Sequence, residues 1–144
     1  MTLPLGWLAW AVLAAVFAAF TATLAKLGLE DTDADAATWA RTTVILACIS
    51  LLVSISGKWH AVLQLTQRQW VFLTLSGLAA AASWICYFRA LQIGTATQVS
   101  VVDRGSLAVV ALLSILLLAE RPQPREWIGI ALVILGAGLV ASVR

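Results

Sequence analysis

An apolar run from Ala96 to Ala119 limits the fold of this chain more than any other feature of the sequence. Its 24 residues exceed the roughly 20 helical residues that cross a bilayer. A helix of this length in a water-soluble protein needs a polar face, but the run carries only two charges, Asp103 and Arg104. We therefore expect a membrane-spanning helix with two charged residues inside it.

The remainder of the chain has the same apolar character. Of the 144 residues, 62% are hydrophobic and 11% are charged, against about 25% charged residues in ordinary soluble domains. We expect an all-α integral membrane protein, one five-helix domain over residues 1–144, with its N- and C-termini on opposite sides of the membrane. The five transmembrane helices are predicted at about 5–25, 36–56, 70–91, 96–119 and 127–143.

Charge and cysteine content exclude several classes of function. A net charge of +2 with scattered Lys and Arg provides no basic surface for nucleic acid. Cys48 and Cys86 lie in apolar segments without zinc or disulfide spacing, so we interpret both as small buried residues and expect no metal or other cofactor. Neither a serine–lysine pair nor paired carboxylates occur within a segment, so we do not expect an enzyme.

Local signals mark the ends of the predicted helices. Gly28 and Gly57 are placed to stop the first and second helices. The acidic connection Glu30–Asp35 must lie in water, and Asp35 is well placed to cap the second helix. Lys26 can extend its ammonium group to the membrane surface.

Asp103 is the best candidate for a functional residue. It lies about 10 Å into its helix, where an ionised group costs a few kcal/mol unless it faces a partner or a watery cavity. Ser100, Ser106 and Ser114 share its helical face, while Arg104 points about 100° away, so each charge needs a partner on another helix. A carboxylate in this position can gain or lose a proton as its surroundings change. The alternative is an internal ion pair that only fixes helix packing.

The second and third segments add four candidate residues for a binding site. Arg41 either reaches the membrane surface or turns inward toward the acidic residue of the fourth segment. Trp84 lies far from the segment ends where the other tryptophans lie, so it either lines a binding site or belongs to the core. Tyr87 shares the helical face of Trp84, whereas Arg89 points about 140° away from Trp84. An unpaired arginine at this depth would favour an anionic or zwitterionic metabolite, against which the two aromatic rings would pack.

The distribution of Lys and Arg near the helix ends gives no preferred orientation in the membrane. Four lie on the N-terminal side and four on the other side, whereas the positive-inside rule needs an excess on one side. We therefore hypothesise that the chain inserts in both orientations and pairs as an antiparallel homodimer of ten helices. The two groups are Lys58, Arg68, Arg121 and Arg125, and Lys26, Arg41, Arg89 and Arg144.

Four motifs occur in an order that resembles the EamA-like family of the drug/metabolite transporter superfamily. They are Trp84–Gly94, Val102–Arg104, Leu118–Arg121 and Glu126–Gly129. The resemblance implies a five-helix unit, usually duplicated in one polypeptide and present here once, that moves small organic metabolites across the bacterial inner membrane, often outward. The family tends to have a proline just ahead of the acidic–basic pair. Because Val101 stands there in this chain, a proline hinge is not expected.

The sequence also has features of two other kinds of membrane protein. The chain is also similar to small multidrug resistance proteins in size, balanced loop charges and a glycine-spaced last helix. Those proteins have a membrane-embedded glutamate in the first helix, which this sequence lacks, so export of bulky cations is not expected. A non-transporting assembly or scaffold subunit is the alternative function. It would explain the stripes of small residues but not the charges at positions 103 and 104.

Overall fold

The computed structural model describes residues 6–120 and 122–142, and this part of the chain is helical without any strand. Five lengths of helix are long and apolar enough to cross a membrane, so the prediction of an all-α protein with five candidate spans is confirmed. The helices are α1 (Trp7–Gly28), α2 (Ala34–Ile55), α3 (Trp59–Leu63), α4 (Gln67–Ile93), α5 (Ala96–Asp103), α6 (Ser106–Leu118) and α7 (Pro124–Ala141). Helices α5 and α6 together form the fourth span, Ala96–Leu118.

Most of the large apolar side chains point away from the protein. Ile55 and Leu116 are 77% and 76% exposed, and a water-soluble protein rarely exposes continuous apolar surface of this kind. Cys48 and Cys86 are exposed as well, so the prediction that protein atoms bury them is wrong. The reason is that an apolar residue of a membrane helix can face lipid, which accepts helices because their backbone hydrogen bonds are made internally. The buried residues are Ala22, Leu29, Ala34, Thr38, Phe88, Leu91, Ala111 and Ala137.

The helices form two compact units. One unit is Leu27–Gln92 and contains α2, α3 and nearly all of α4. The other combines most of α1 with α5, α6 and α7, and within it both α5 and α6 pack against α7. That the whole chain is a single five-helix domain stays a prediction.

The ends of the first two helices follow from short polar contacts and from glycine. Helix α1 ends at Gly28, as predicted. The N-cap of α2 is Asp33 rather than the predicted Asp35, because its carboxylate accepts the backbone N–H groups of Asp35 and Ala36 at 2.9 and 3.0 Å. After α2, Gly57 has a φ of 64°, a left-handed conformation that glycine adopts without strain.

Helix α4 begins three residues earlier than predicted. The side chain of Gln69 accepts the backbone N–H of Thr66 at 2.8 Å, and the Thr66 hydroxyl accepts the N–H of Gln69 at 3.4 Å. This reciprocal pair is a capping box, which satisfies backbone donors at a helix start. It lets the polar residues Gln67, Arg68 and Gln69 join the helix although they lie outside the apolar run.

The fourth span is interrupted near its middle, which the sequence analysis did not anticipate. Helix α5 ends at Asp103 and α6 begins at Ser106. Between them, the N–H of Gly105 donates to the carbonyl of Val102 at 2.9 Å, and the N–H of Ala108 donates to the carbonyl of Gly105 at 3.2 Å. These bonds join residues three apart, as in a 3₁₀ turn, instead of the four apart of an α-helix. The span therefore consists of two helices joined by a single 3₁₀ turn, in which Arg104 and Gly105 both keep right-handed helical backbone angles.

Candidate functional site

The turn between α5 and α6 places the two charges of the fourth span at a helix break. Thr95 and Gln98 form a capping box that starts α5, and the helix then runs for eight residues to Asp103. Arg104 and Gly105 form the turn itself. A Cβ atom added to Gly105 would lie 3.0 Å from the carbonyl oxygen of Val102, so a side chain at this position requires a small shift of the backbone.

Asp103 and Arg104 have exposed side chains. Within residues 6–120 and 122–142, neither side chain forms an ion pair or a hydrogen bond. The alternative of an internal ion pair that fixes helix packing is therefore absent from the described part of the chain. Because Asp103 lies about 10 Å inside the span, a carboxylate here is stable when water or a polar molecule reaches it.

The break changes the polar face predicted around Asp103. Ser100 lies on α5, one turn before Asp103, and is half-buried. Ser106 and Ser114 lie on α6, beyond the turn. The predicted common face holds within α5 for Ser100 and Asp103, which are three residues apart, and stays a prediction for Ser106 and Ser114.

In the other unit, the guanidinium group of Arg41 on α2 lies over two aromatic rings of α4. Its Cζ atom is 4.5 Å from the centre of the Trp84 ring and 5.5 Å from that of Phe88. Both distances are within the roughly 6 Å of a cation–π interaction. Because Trp84 and Phe88 are four residues apart, they share one face of α4. This stacking is a third arrangement of Arg41, beyond the two that the sequence left open.

Phe88 contacts Arg41 together with Trp84, although it is not among the residues predicted for the site. It is only 3% exposed, and its ring centre lies 6.5 Å from that of Tyr87. Tyr87 and Trp84 are both half-buried. The signal was available, since Phe88 shares a helical face with Trp84, but nothing in the sequence showed that this face meets Arg41.

Arg89 forms an ion pair with Asp35 between the end of α4 and the start of α2. Nη2 of Arg89 lies 2.8 Å from Oδ2 and 3.1 Å from Oδ1 of Asp35, and Nε lies 3.2 Å from Oδ1. Beside them, the amide of Gln92 donates to the carbonyl of Thr32 at 3.0 Å. Asp35 therefore balances the charge of Arg89, and Arg89 is not an unpaired cation.

The two units thus contain different polar chemistry. One has a free acidic–basic pair at a helix break, and the other has an arginine stacked on aromatic rings. No group of three His, Cys, Asp or Glu side chains that could hold a metal ion occurs among the residues described. Both places offer charged groups that could contact a polar small molecule.

Comparison with known proteins gives a consistent result over nearly the full length of the chain. A model of the EamA-like transporter family matches residues 5–142. A protein of Sinorhizobium sp., described as an uncharacterized transporter in the cobO 3′ region, is 44% identical over 135 residues, covering 94% of this chain and 96% of that protein. An uncharacterized transporter of Pseudomonas aeruginosa is 35% identical over 80 residues, which are 56% of this chain and 26% of that protein. No solved structure matches the chain at a significant level.

Proposed function

Because the chain belongs to the EamA-like transporter family, we propose that it exports a small organic metabolite across the bacterial inner membrane by alternating access. The observation that carries this proposal is the break in the fourth span beside Asp103 and Arg104. In many transporters, substrate and coupling ions bind where membrane helices are discontinuous, because irregular backbone and charges there line a polar cavity. A scaffold subunit has no need for such a feature.

The turn at Arg104 and Gly105 is a suitable hinge for alternating access. A short 3₁₀ stretch inside a helix often marks a functional hinge, and α5 and α6 both pack against α7. Val101 occupies the position where the family tends to have proline. In this chain, Gly105, four residues later, supplies the flexible point instead.

Asp103 acts as the group that couples transport to protons. Its carboxylate has no partner within the described residues, so a change in local access changes its charge without breaking an ion pair. A carboxyl group in drier surroundings favours the neutral form, and one beside cations favours the charged form. Alternation between two such surroundings would load and release a proton.

Transport in reconstituted vesicles tests the proposed function. Purified protein is placed in liposomes and supplied with amino acids, small amines and organic acids, each with and without a pH gradient. We expect gradient-dependent movement of at least one compound by the wild type. Absence of transport for every class, from protein that is folded and inserted, would favour the scaffold alternative.

We further propose that two copies assemble as an antiparallel homodimer of ten helices. The numbers of Lys and Arg on the two sides are four and four, or four and three when Arg41 is counted as lying within its span, and so small a difference lets a chain insert in both directions. The relative from P. aeruginosa supports a paired unit, because 80 residues are 26% of it and its length is therefore roughly 300 residues, about twice this chain. Antiparallel pairing of two such units produces the inverted symmetry common among transporters.

A further inference from the structure

The guanidinium group of Arg41 lies against two aromatic rings and has unused N–H donors. The rings of Trp84 and Phe88 lie over its guanidinium group at 4.5 and 5.5 Å. A guanidinium carries five N–H donors, all in its plane and therefore at its edge. In the described part of the chain, none of these donors meets an acceptor. The contact with the two rings thus fixes the position of the guanidinium group, and its N–H donors stay available.

The position of Arg41 within the span makes these unused donors significant. Arg41 is seven residues after the start of α2, and Trp84 is nine residues before the end of α4. At about 1.5 Å per residue, both lie more than 10 Å from those helix ends. A charge at such depth costs several kcal/mol unless an acceptor or water reaches it. The stack holds Arg41 at this level, so the group needs an acceptor that the described residues do not supply.

The acidic residue closest in the sequence is already occupied. Asp35 is the only acidic residue within α2 and α4, and it pairs with Arg89 through three short contacts. The other acidic residues of this unit precede α2, in the connection from α1. Arg41 is therefore left as a cation without a carboxylate partner in this part of the chain.

We propose that Arg41 binds the carboxylate group of the transported metabolite, so that the substrate is an organic acid. This inference rests on the proposed function, and it names the substrate class. A planar guanidinium matches the two oxygens of a carboxylate with two parallel hydrogen bonds. The aromatic rings hold the plane in place before the substrate arrives, which lowers the entropic cost of binding.

A binding experiment on the purified full-length protein tests this proposal separately from transport. The probes are fluorobenzoate and fluorobenzamide, which have nearly the same shape but differ in charge, and binding is followed by fluorine NMR in lipid nanodiscs. We expect the wild type to bind the acid at least roughly tenfold more tightly than the amide, a difference of about 1.4 kcal/mol, since hydrogen bonds to charged groups contribute at least that much. Equal binding of the two probes overturns the proposal without any variant.

Two variants locate the binding to Arg41. Arg41→Gln is expected to lose the preference for the acid, and Arg41→Lys to lose most of it, because an ammonium group lacks the planar fork. Arg68→Gln is the matched control, since Arg68 also lies over an aromatic ring, that of Phe72, at 5.9 Å. If Arg41→Gln and Arg68→Gln bind the acid equally well, Arg41 is not the anion site.

Two lipid compositions distinguish a site for a metabolite from a site for an anionic lipid. The nanodiscs are prepared with phosphatidylcholine alone and with added phosphatidylglycerol. If Arg41 serves a lipid phosphate instead, the acid will not bind in either membrane, and Arg41→Gln will change only the retention of the anionic lipid. Binding of the acid without any transport in vesicles would support the anion site and count against the proposed function.

Discussion

Charged side chains within the spans occupy three kinds of surroundings. Arg89 is neutralised by Asp35, Arg41 is stacked on aromatic rings, and Asp103 has no partner among the described residues. An exposed ion pair contributes little to stability, so the first kind is a structural link between two helix ends. An unpaired charge within a span is expensive, so Arg41 and Asp103 are the candidates for a functional role.

Replacement of Asp103 by Asn tests its role as the proton-coupling group. An amide is close in size to a carboxyl group but does not gain or lose a proton near neutral pH. We expect Asp103→Asn to insert normally and to lose transport driven by a pH gradient, measured as substrate accumulation in vesicles. Asp35→Asn serves as the comparison with an acidic residue at a helix end. Unchanged pH dependence of transport in Asp103→Asn would contradict the role.

The ion pair of Asp35 and Arg89 is expected to behave differently. Because both side chains are more than half exposed, at 57% and 62%, their loss should lower the thermal unfolding temperature only slightly. Arg89→Gln should therefore keep transport close to that of the wild type. The exchange Asp35→Arg with Arg89→Asp should restore what either single change loses. Loss of transport in Arg89→Gln at wild-type stability would assign Arg89 a direct role.

Among the helices, the turn between α5 and α6 matters most for the proposed alternating-access mechanism. Its backbone bonds join residues three apart, and Gly105 fits the turn with little room for a side chain. A hinge needs two conformations of similar free energy. Glycine lowers the preference for a continuous α-helix, so it keeps the conformation with the 3₁₀ turn accessible.

Substitution of Gly105 by Ala tests this hinge. Alanine favours a continuous helix by about 1 kcal/mol over glycine, and a Cβ atom would lie 3.0 Å from the Val102 carbonyl oxygen. We expect a severalfold lower transport rate with little change in substrate affinity, measured as maximal rate and half-saturating concentration. Gly77→Ala makes the same chemical change in α4, where nothing lies within 4 Å. Equal effects of the two substitutions would argue against a hinge at Gly105.

At the scale of the whole molecule, the exposed apolar surface requires lipid or another copy of the chain. The proposed antiparallel dimer rests on the chain's balanced Lys and Arg content, which gives neither orientation the excess that the positive-inside rule needs. Two added charges on one side should remove the balance. The connection between α2 and α4 accepts them at His60 and Gln64, which are both exposed.

We expect His60→Lys with Gln64→Lys to fix one orientation and to abolish transport when expressed alone. Glu30→Lys with Ser142→Lys should fix the opposite orientation, with the same loss. Co-expression of the two should restore transport, because one copy of each orientation is then present. Accessibility of tags at both termini, measured in intact and in permeabilised cells, checks the orientations. A wild type with one uniform orientation would rule out the antiparallel dimer.

Much of the fold was predictable because each segment that is long and apolar enough can cross the bilayer whatever its neighbours are. The number of spans follows from apolar length, and the end of α1 follows from Gly28. Helix ends that depend on hydrogen bonds from polar side chains were harder to predict from the sequence. Thr66 and Gln69 extend α4 beyond its apolar run, and Asp33 takes the cap expected of Asp35.

The candidate site was predictable as residue types but not as contacts. The sequence by itself determined that this chain crosses a membrane and that charges at 41, 89, 103 and 104 lie within spans, because length and polarity suffice for both. Only the tertiary structure decided that Arg89 meets Asp35, that Arg41 stacks on Trp84, and that the helix breaks after Asp103. The reason is that side-chain partners depend on which helix faces meet and in which register, and a local sequence pattern does not specify either.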